Sequence, residues 1–537
     1  MKQPLMLIGF LLVAFAIPLP AQTYFDPTIR IIPTRPDITT DPCNTSVHRS
    51  FVFGFEQLRA GCTGLDLVVA KTTWEQNPFD DYSYWFTYSY NMSGQFDNDD
   101  VFWHGTGLCN NTVYVKKLLF GKLRPDLNPP RKDLVVILKS DDPATQFSKV
   151  IRNSLVPNAP LDDDDNYGRL DINAVDGAWG AFTANDIRED LALTDPSPDN
   201  PRIKIYNNNS GELSDQATYI FPGYVAEKIA LSQINGLINA DLNLNKLDLI
   251  GVDGTTIKIW INDNNNGLPE ILPYYQTLQV PFGFIQSLVV ADINNDGYND
   301  IIVGANRGVA LYLNTGEEDE DGWFQQIADW VYALPANKAS RPHLVAVGDI
   351  GSPVANGGAN VNDGWNDLVI ATGVRVEGEH PLVEVFVNQK GAGTPPVYFF
   401  SFPHQTFSII PPVGQQTLCS DNDFQQISLA DVQGNGALAI VATLARCDVE
   451  KNLYMFLHTP QAQPWNGGWN IAAVSVTVPD YSPSAVFPQR DPNSVLYKFQ
   501  GGSYVPVTGN LTSNRGYFVK FPTSQPTWPV TYTGTPI

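Results

Sequence analysis

Basic residues are scarce in this chain. Its 33 Lys and Arg stand against 56 Asp and Glu, for a formal net charge of −23 over 537 residues. A surface that acidic repels a phosphate backbone and argues against a nucleic-acid partner. Histidines number 6, and none lies in H-E-x-x-H or at another close metal-ligand spacing. There is no G-x-S-x-G elbow, no phosphate loop and no dinucleotide fingerprint, so the short motifs that announce a known catalytic mechanism are missing. Methionines number 4, and long amphipathic helical patterns are rare. The five cysteines (Cys43, Cys62, Cys109, Cys419 and Cys447) include no C-x-x-C pair, which speaks against a zinc site. Beyond the N-terminus no apolar run is long enough for a membrane helix.

Turn formers and aromatics are plentiful: 42 Gly, 41 Pro, 28 Phe, 22 Tyr and 11 Trp. With helical periodicity scarce, this is an all-β composition. Residues 1–21 read as a signal peptide. Lys2 gives a positive start, Leu5 to Ile17 an apolar core too short to span a bilayer, and Leu19-Pro20-Ala21 a small-residue ending. Cleavage is expected near Ala21, leaving a mature protein that is secreted or held at a cell surface. Disulfides are permitted there, and Cys419 with Cys447 is the expected pair, because both lie in one C-terminal repeat. Residues 22–50 read as an N-terminal extension.

The stretch LVVADINNDGYNDIIVGAN, Leu288 to Asn306, places Asp292, Asn294, Asp296 and Asp300 on one short loop, with Gly297 after the third. Oxygen side chains at alternate positions, followed by a glycine, describe a loop wrapped around a hard cation. Ca²⁺ takes about six to eight oxygens at roughly 2.3–2.6 Å. Three carboxylates held that close repel one another without a metal. The flanks are short, apolar and rich in Val and Ile, so the loop joins two β-strands rather than the helices of an EF-hand.

The segment after this loop, an acid followed by three apolar or small residues, recurs. Copies begin at Asp66, Asp133, Asp190, Asp248, Asp300 and Asp367, and a seventh at Ala439 lacks the acid; successive spacings are 67, 57, 58, 52, 67 and 72 residues. The later copies are followed by another alternating strand ending in Asn or a turn, as in IKIYNNNSG, IKIWINDNNNG, VALYLNTG and VEVFVNQKG. Each unit holds about four strands and is too thin to bury its own faces. Radial stacking of seven such sheets solves that problem and makes a β-propeller over 51–460. A linear stack or two sandwiches are the alternatives.

Phe282-Gly283, the loop Asp292 to Asp300 and Gly304-Ala305-Asn306 together resemble the FG-GAP (VCBS-type) repeat of integrin α-subunit propellers and many bacterial surface proteins. The resemblance implies a seven-bladed propeller with Ca²⁺ in inter-strand loops on one face. It makes Asp292, Asn294, Asp296 and Asp300 side-chain ligands and Tyr298 a backbone-carbonyl ligand. The fourth unit carries Asp241, Asn243, Asn245 and Asp248 at matching positions, with Lys246 where Gly stands. The sixth carries Asp349, Asp363 and Asp367 around an insertion, with Asn360 or Asn362 as the middle ligand. The seventh keeps Asp431 alone and reads as a turn without metal. In the first three units Asp66, Asp133 and Asp190 read as turn caps. Asp171-Ile-Asn173 with Asp176 is a lesser metal candidate.

Residues 464–537 change pattern and read as a small C-terminal β module of hairpins. Gly468-Trp469-Asn470 and Arg515 to Phe521 resemble a module near the C-termini of exported bacterial proteins. Two functional classes follow. One is a calcium-stabilised, non-catalytic propeller for adhesion or for binding a protein or glycan. The other is a carbohydrate-active enzyme on the same fold, which requires a carboxylate pair in a pocket away from the calcium loops.

Overall fold

Each of the seven repeated runs forms a strand: Asp66–Trp74, Asp133–Ser140, Asp190–Asp195, Asp248–Asp253, Asp300–Ala305, Asp367–Thr372 and Ala439–Leu444. The structure, a computed structural model, describes residues 30–32, most of 47–457 and parts of 465–536. In the third, fifth, sixth and seventh copies every residue of this strand is buried. A continuous apolar run is what a strand covered on both faces demands.

Every one of these strands is second in a four-stranded antiparallel sheet. In the fifth sheet the order is Ile285–Ala291, Asp300–Ala305, Gly308–Tyr312 and Trp330–Ala333. The first strands of the seven sheets lie side by side in cyclic order. Val47–Glu56 meets Val113–Gly121, and the series continues through Asp176–Gly180, Lys228–Ser232, Ile285–Ala291, His343–Gly348 and Phe424–Ala430 back to Val47–Glu56. The chain is thus a seven-bladed β-propeller, with the first strands innermost.

The core is divided among the seven seams. Val52, Val68 and Leu134 pack between blades one and two, Leu119, Val135 and Leu191 between two and three, and Ile205, Leu249 and Trp260 between three and four. Ile250, Ile259 and Ile301 fill the next seam, Ile302, Leu368 and Phe386 the one after, and Val369, Ile440 and Phe456 the sixth. Phe53, Leu67, Val441 and Met455 close the ring between blades seven and one. At that seam Gln426 imitates a strand: its Nε2 donates to Phe53 O at 2.8 Å, and Phe53 N–H donates to its Oε1 at 3.0 Å.

The last blade is completed from the other end of the chain. Arg30–Ile32 pairs antiparallel with Leu453–Phe456, Ile31 facing Tyr454. The propeller therefore reaches upstream of residue 51, and part of the segment read as an extension is its outermost strand. The reason is topological, since a ring closes more firmly when one blade draws strands from both termini. The C-terminal segment forms a separate four-stranded sheet, in the order Gly468–Ala473, Gly516–Phe521, Tyr497–Gln500, Ser503–Pro506. Residues 1–21 and all five cysteines, with the expected Cys419–Cys447 pair, lie outside the described residues. Among the described residues no helix is long and apolar enough to cross a membrane.

Backbone hydrogen bonds contribute about 0.5–1.5 kcal/mol each, whereas burying one large apolar side chain contributes about 1.5–3 kcal/mol. The apolar seam therefore outweighs the three-residue ladder. Removing residues 22–34 should leave a closed ring with a melting temperature a few degrees lower. An unchanged melt would show that the strand adds nothing.

Candidate metal centre

The site starts from a buried acid. Asp300 heads the second strand of the fifth blade and is 0% exposed. Its Oδ2 accepts Ile293 N–H at 2.7 Å, and its Oδ1 accepts Asn314 N–H at 2.8 Å. One carboxylate thus ties the loop after the first strand to the turn after the third. The same clasp recurs at Asp190, which takes the amides of Phe182 and Asn208. It recurs at Asp248 with Ile234 and Asn262, and at Asp367 with Ile350 and Asn388. Asp133 takes the amide of Leu123 at 3.3 Å. Asp133 and Asp190 are caps, as their turns demand.

Each asparagine of the clasp then reaches into the preceding blade. Asn314 Nδ2 donates to Ile234 O at 2.8 Å, Asn388 Nδ2 to Ile293 O at 2.7 Å, Asn262 Nδ2 to Phe182 O at 2.9 Å and Asn208 Nδ2 to Leu123 O at 2.9 Å. The accepting residue is in every case the one whose N–H serves its own blade's carboxylate. The relay carboxylate–amide–carbonyl–asparagine therefore runs unbroken from blade two to blade six. Sequence reasoning missed these asparagines as a set. The signal was present, since each closes the alternating strand that follows an acid-led run.

The fifth loop adds further oxygens to this base. Gly297 N–H donates to Asp292 Oδ2 at 2.9 Å, Asp296 N–H to Asp292 Oδ1 at 3.3 Å and Tyr298 N–H to Asp296 Oδ1 at 2.8 Å. Asn294 Nδ2 donates to Asp296 Oδ2 at 2.7 Å. Gly297 holds φ +91° with open space around it, a left-handed conformation that a residue with Cβ rarely adopts. Asp292, Asn294, Asp296 and Asp300 therefore share one tight turn, and their oxygens are engaged by its amides.

The sixth loop repeats this geometry in spite of its insertion. Gly364 N–H donates to Asp349 Oδ2 at 2.8 Å, Asp363 N–H to Asp349 Oδ1 at 3.1 Å and Trp365 N–H to Asp363 Oδ1 at 3.0 Å. Asp349 and Asp363 thus share one turn, ahead of the strand that Asp367 heads. Residues 352–362, with Asn360 and Asn362, lie outside the described residues. The two loops are also linked: Asn366 Nδ2 donates to Asp292 O at 2.8 Å.

The other units differ. In the fourth blade Ser232 faces Asp248, as Ala291 faces Asp300 in the fifth. Gln233, rather than Asp241, therefore follows the first strand in the place of Asp292. The shift arises from an inserted hairpin, Ile238–Asn239 with Leu244–Asn245, which carries the alternation of Asn and acid. Asp241 and Asn243 lie outside the described residues, as does the side chain of Asn245. Asp176, the lesser candidate, is spent between blades: it pairs with Lys117 and accepts Ile229 N–H at 3.0 Å.

Burial first, with the charges of Asp296 and Asp292 added, pushes the Asp300 carboxyl up to about 7. Burial, then Asp363 and Asp349, pushes Asp367 up to about 8. In the fourth blade burial alone raises Asp248, to about 6. The fifth and sixth loops thus carry excess negative charge that a cation relieves. Among the described residues no three His, Cys, Asp or Glu side chains are gathered as a preformed metal cluster. The oxygens of Asp292 and Asp296 are turned onto the loop amides instead. The donor set, all oxygen and alternately spaced, fits a hard divalent cation.

A ring of four-stranded blades with acidic loops at the heads of second strands is one class of propeller. Residues 284–317, within the fifth blade, match the family model of the FG-GAP repeat. Integrin alpha-5 of Xenopus laevis is 30% identical over 116 residues, a match covering 20% of this chain and 10% of that protein. The crystal structure of BBS1N in complex with ARL6DN is similar at 13% identity and a TM-score of 0.39, over 76% of this chain and 92% of that one. A Lactobacillus plantarum protein is similar at 12% identity and a TM-score of 0.33, over 76% and 100%. Likenesses this slight add nothing to the strand order described above.

Asn388 is 4% exposed and serves two backbone carbonyls, Ile293 O and Asn366 O. Leaving buried partners unsatisfied costs about 1–3 kcal/mol. Asn388→Ala should lower stability by about that amount in urea denaturation. An unchanged midpoint would remove the relay from the forces holding blades five and six.

Proposed function

We propose that this protein is an exported, calcium-stabilised binding propeller, without catalysis of its own, whose ligand is a protein or a glycan outside the cell. The carrying observation is the fifth loop, where Asp292, Asn294 and Asp296 crowd the buried Asp300 in a turn held by their own amides. A bound Ca²⁺ would be held by these four side chains and the Tyr298 carbonyl. It would supply charge neutralisation and rigidity, leaving the loop face of blades five and six fixed for a partner. The FG-GAP match over this blade supports the reading, as does the resemblance to integrin α-subunits.

The buried carboxylates among the described residues speak for binding over catalysis. Asp176 holds Lys117, Asp195 holds Arg202, and Glu384 accepts Tyr332 Oη–H at 2.8 Å. The others serve the clasps. An acid committed to structural donors is poorly placed to carry protons for a substrate. The net charge of −23 keeps nucleic acid away.

A ligand that binds only the folded state stabilises it. Millimolar calcium should therefore raise the melting temperature over that in chelator. Asp296→Ala should remove most of the shift, and Asp431→Ala should leave it nearly intact. A melt that ignores calcium would sink the metal reading, and an equal loss in both variants would sink the ranking of loops. Binding to a panel of glycans and cell-surface proteins, lost in chelator, tests the partner. Hydrolysis of a panel glycan would replace this reading with the enzymatic one.

A further inference from the structure

Lys390 occupies in the sixth blade the place that Gly316 holds in the fifth. Asn388 and Asn314 each give their N–H to the head carboxylate. Two residues on, Lys390 N–H donates to Asn388 Oδ1 at 2.8 Å, as Gly316 N–H donates to Asn314 Oδ1 at 3.0 Å. Both backbones are left-handed, with φ 58° at Lys390 and 71° at Gly316. A lysine there is uncommon; Asn295 is the other non-glycine with positive φ among the described residues. From this position the Lys390 side chain turns onto the acidic loop. Its Nζ lies 2.9 Å from Asp363 Oδ2, and Asp363 is the counterpart of Asp296.

In the fifth loop the Tyr298 ring stands where such a side chain would begin. A Cβ at residue 316 would fall 2.6 Å from the Tyr298 ring. The partners of Asp292 and Asp296 there are loop amides and Asn294. Besides the insertion in the sixth loop, two loops with matching carboxylates thus differ in a cation supplied by the chain itself.

We propose that Lys390 is a resident cation that takes the place of calcium in the sixth blade, so that the fifth loop binds the metal and the sixth does not. The proposal rests on the calcium reading of the fifth loop. An ammonium bonded to Asp363 both occupies a ligand oxygen and repels an arriving divalent ion. Removing its charge should open a second site.

The test is isothermal titration of the mature chain with CaCl₂. Wild type should bind one ion, K390G and K390M two, and K390R one. K390G also suits the left-handed backbone, so its fold is secure, while K390M keeps the long stem and loses only the charge. D296A should bind none, and D296A/K390G one. If K390G and K390M bind no more calcium than wild type, or if wild type already binds two, the proposal is overturned. If wild type binds none but K390G gains one, the fifth-loop reading fails while the role of Lys390 stands.

Discussion

The structure depends on one interaction: a buried carboxylate at the head of the second strand that accepts two backbone amides. A carboxyl group cannot be buried without hydrogen-bond partners, and two backbone amides supply them. In return the carboxylate fixes two turns of its blade at once. Asp190, Asp248, Asp300 and Asp367 do this in consecutive blades. The asparagine that gives one amide carries the constraint to the preceding blade through its side chain. Blade position is therefore set by polar geometry at one end of each seam, while the apolar clusters supply the bulk of the stabilisation. In the seventh blade Ala439 replaces the acid. There the ring is held by other means, the paired amide of Gln426 on Phe53 and the strand Arg30–Ile32.

The acidic loop of blade five is an elaboration of that clasp. Asp292, Asn294 and Asp296 are added in front of an Asp300 that already has its structural work. Their amides and carboxylates close the turn, and a bound cation would answer the charge they bring. Asn366 joins the sixth loop to the carbonyl of Asp292, so stiffening one loop acts on its neighbour. A partner that meets this face meets two coupled turns.

Much of this was legible in the sequence, and the reasons are local. The acid-led apolar runs from Asp66 to Ala439 proved to be the second strands of seven blades, because a fully buried strand must be apolar throughout. The fifth loop was legible because its donors are contiguous. Elsewhere the local pattern misled or was silent. The hairpin at 238–245 carried an Asn and Asp alternation that drew the fourth loop away from Gln233. Three residues at 30–32 hold no pattern long enough to mark a strand. The relay asparagines meet carbonyls some 80 residues away, as Asn314 does with Ile234, and the role of Lys390 depends on a turn from another part of its blade.

The loops also show how the number of carboxylates sets the means of neutralisation. In blades three and four a single buried acid meets two or three amides, and hydrogen bonds suffice. In blades five and six two further acids enter the same turn, and after burial they add to the energy of the buried acid's ionised form. Amides carry only partial charge, so the added carboxylates leave charge that a full cation would answer. Blade six has room for one at residue 390. Blade five has the Tyr298 ring beside Gly316, and a cation for its loop would have to come from solution. On the calcium reading proposed above, metal dependence would follow from whether the next turn can place an ammonium over the loop, and only secondarily from the ligand motif.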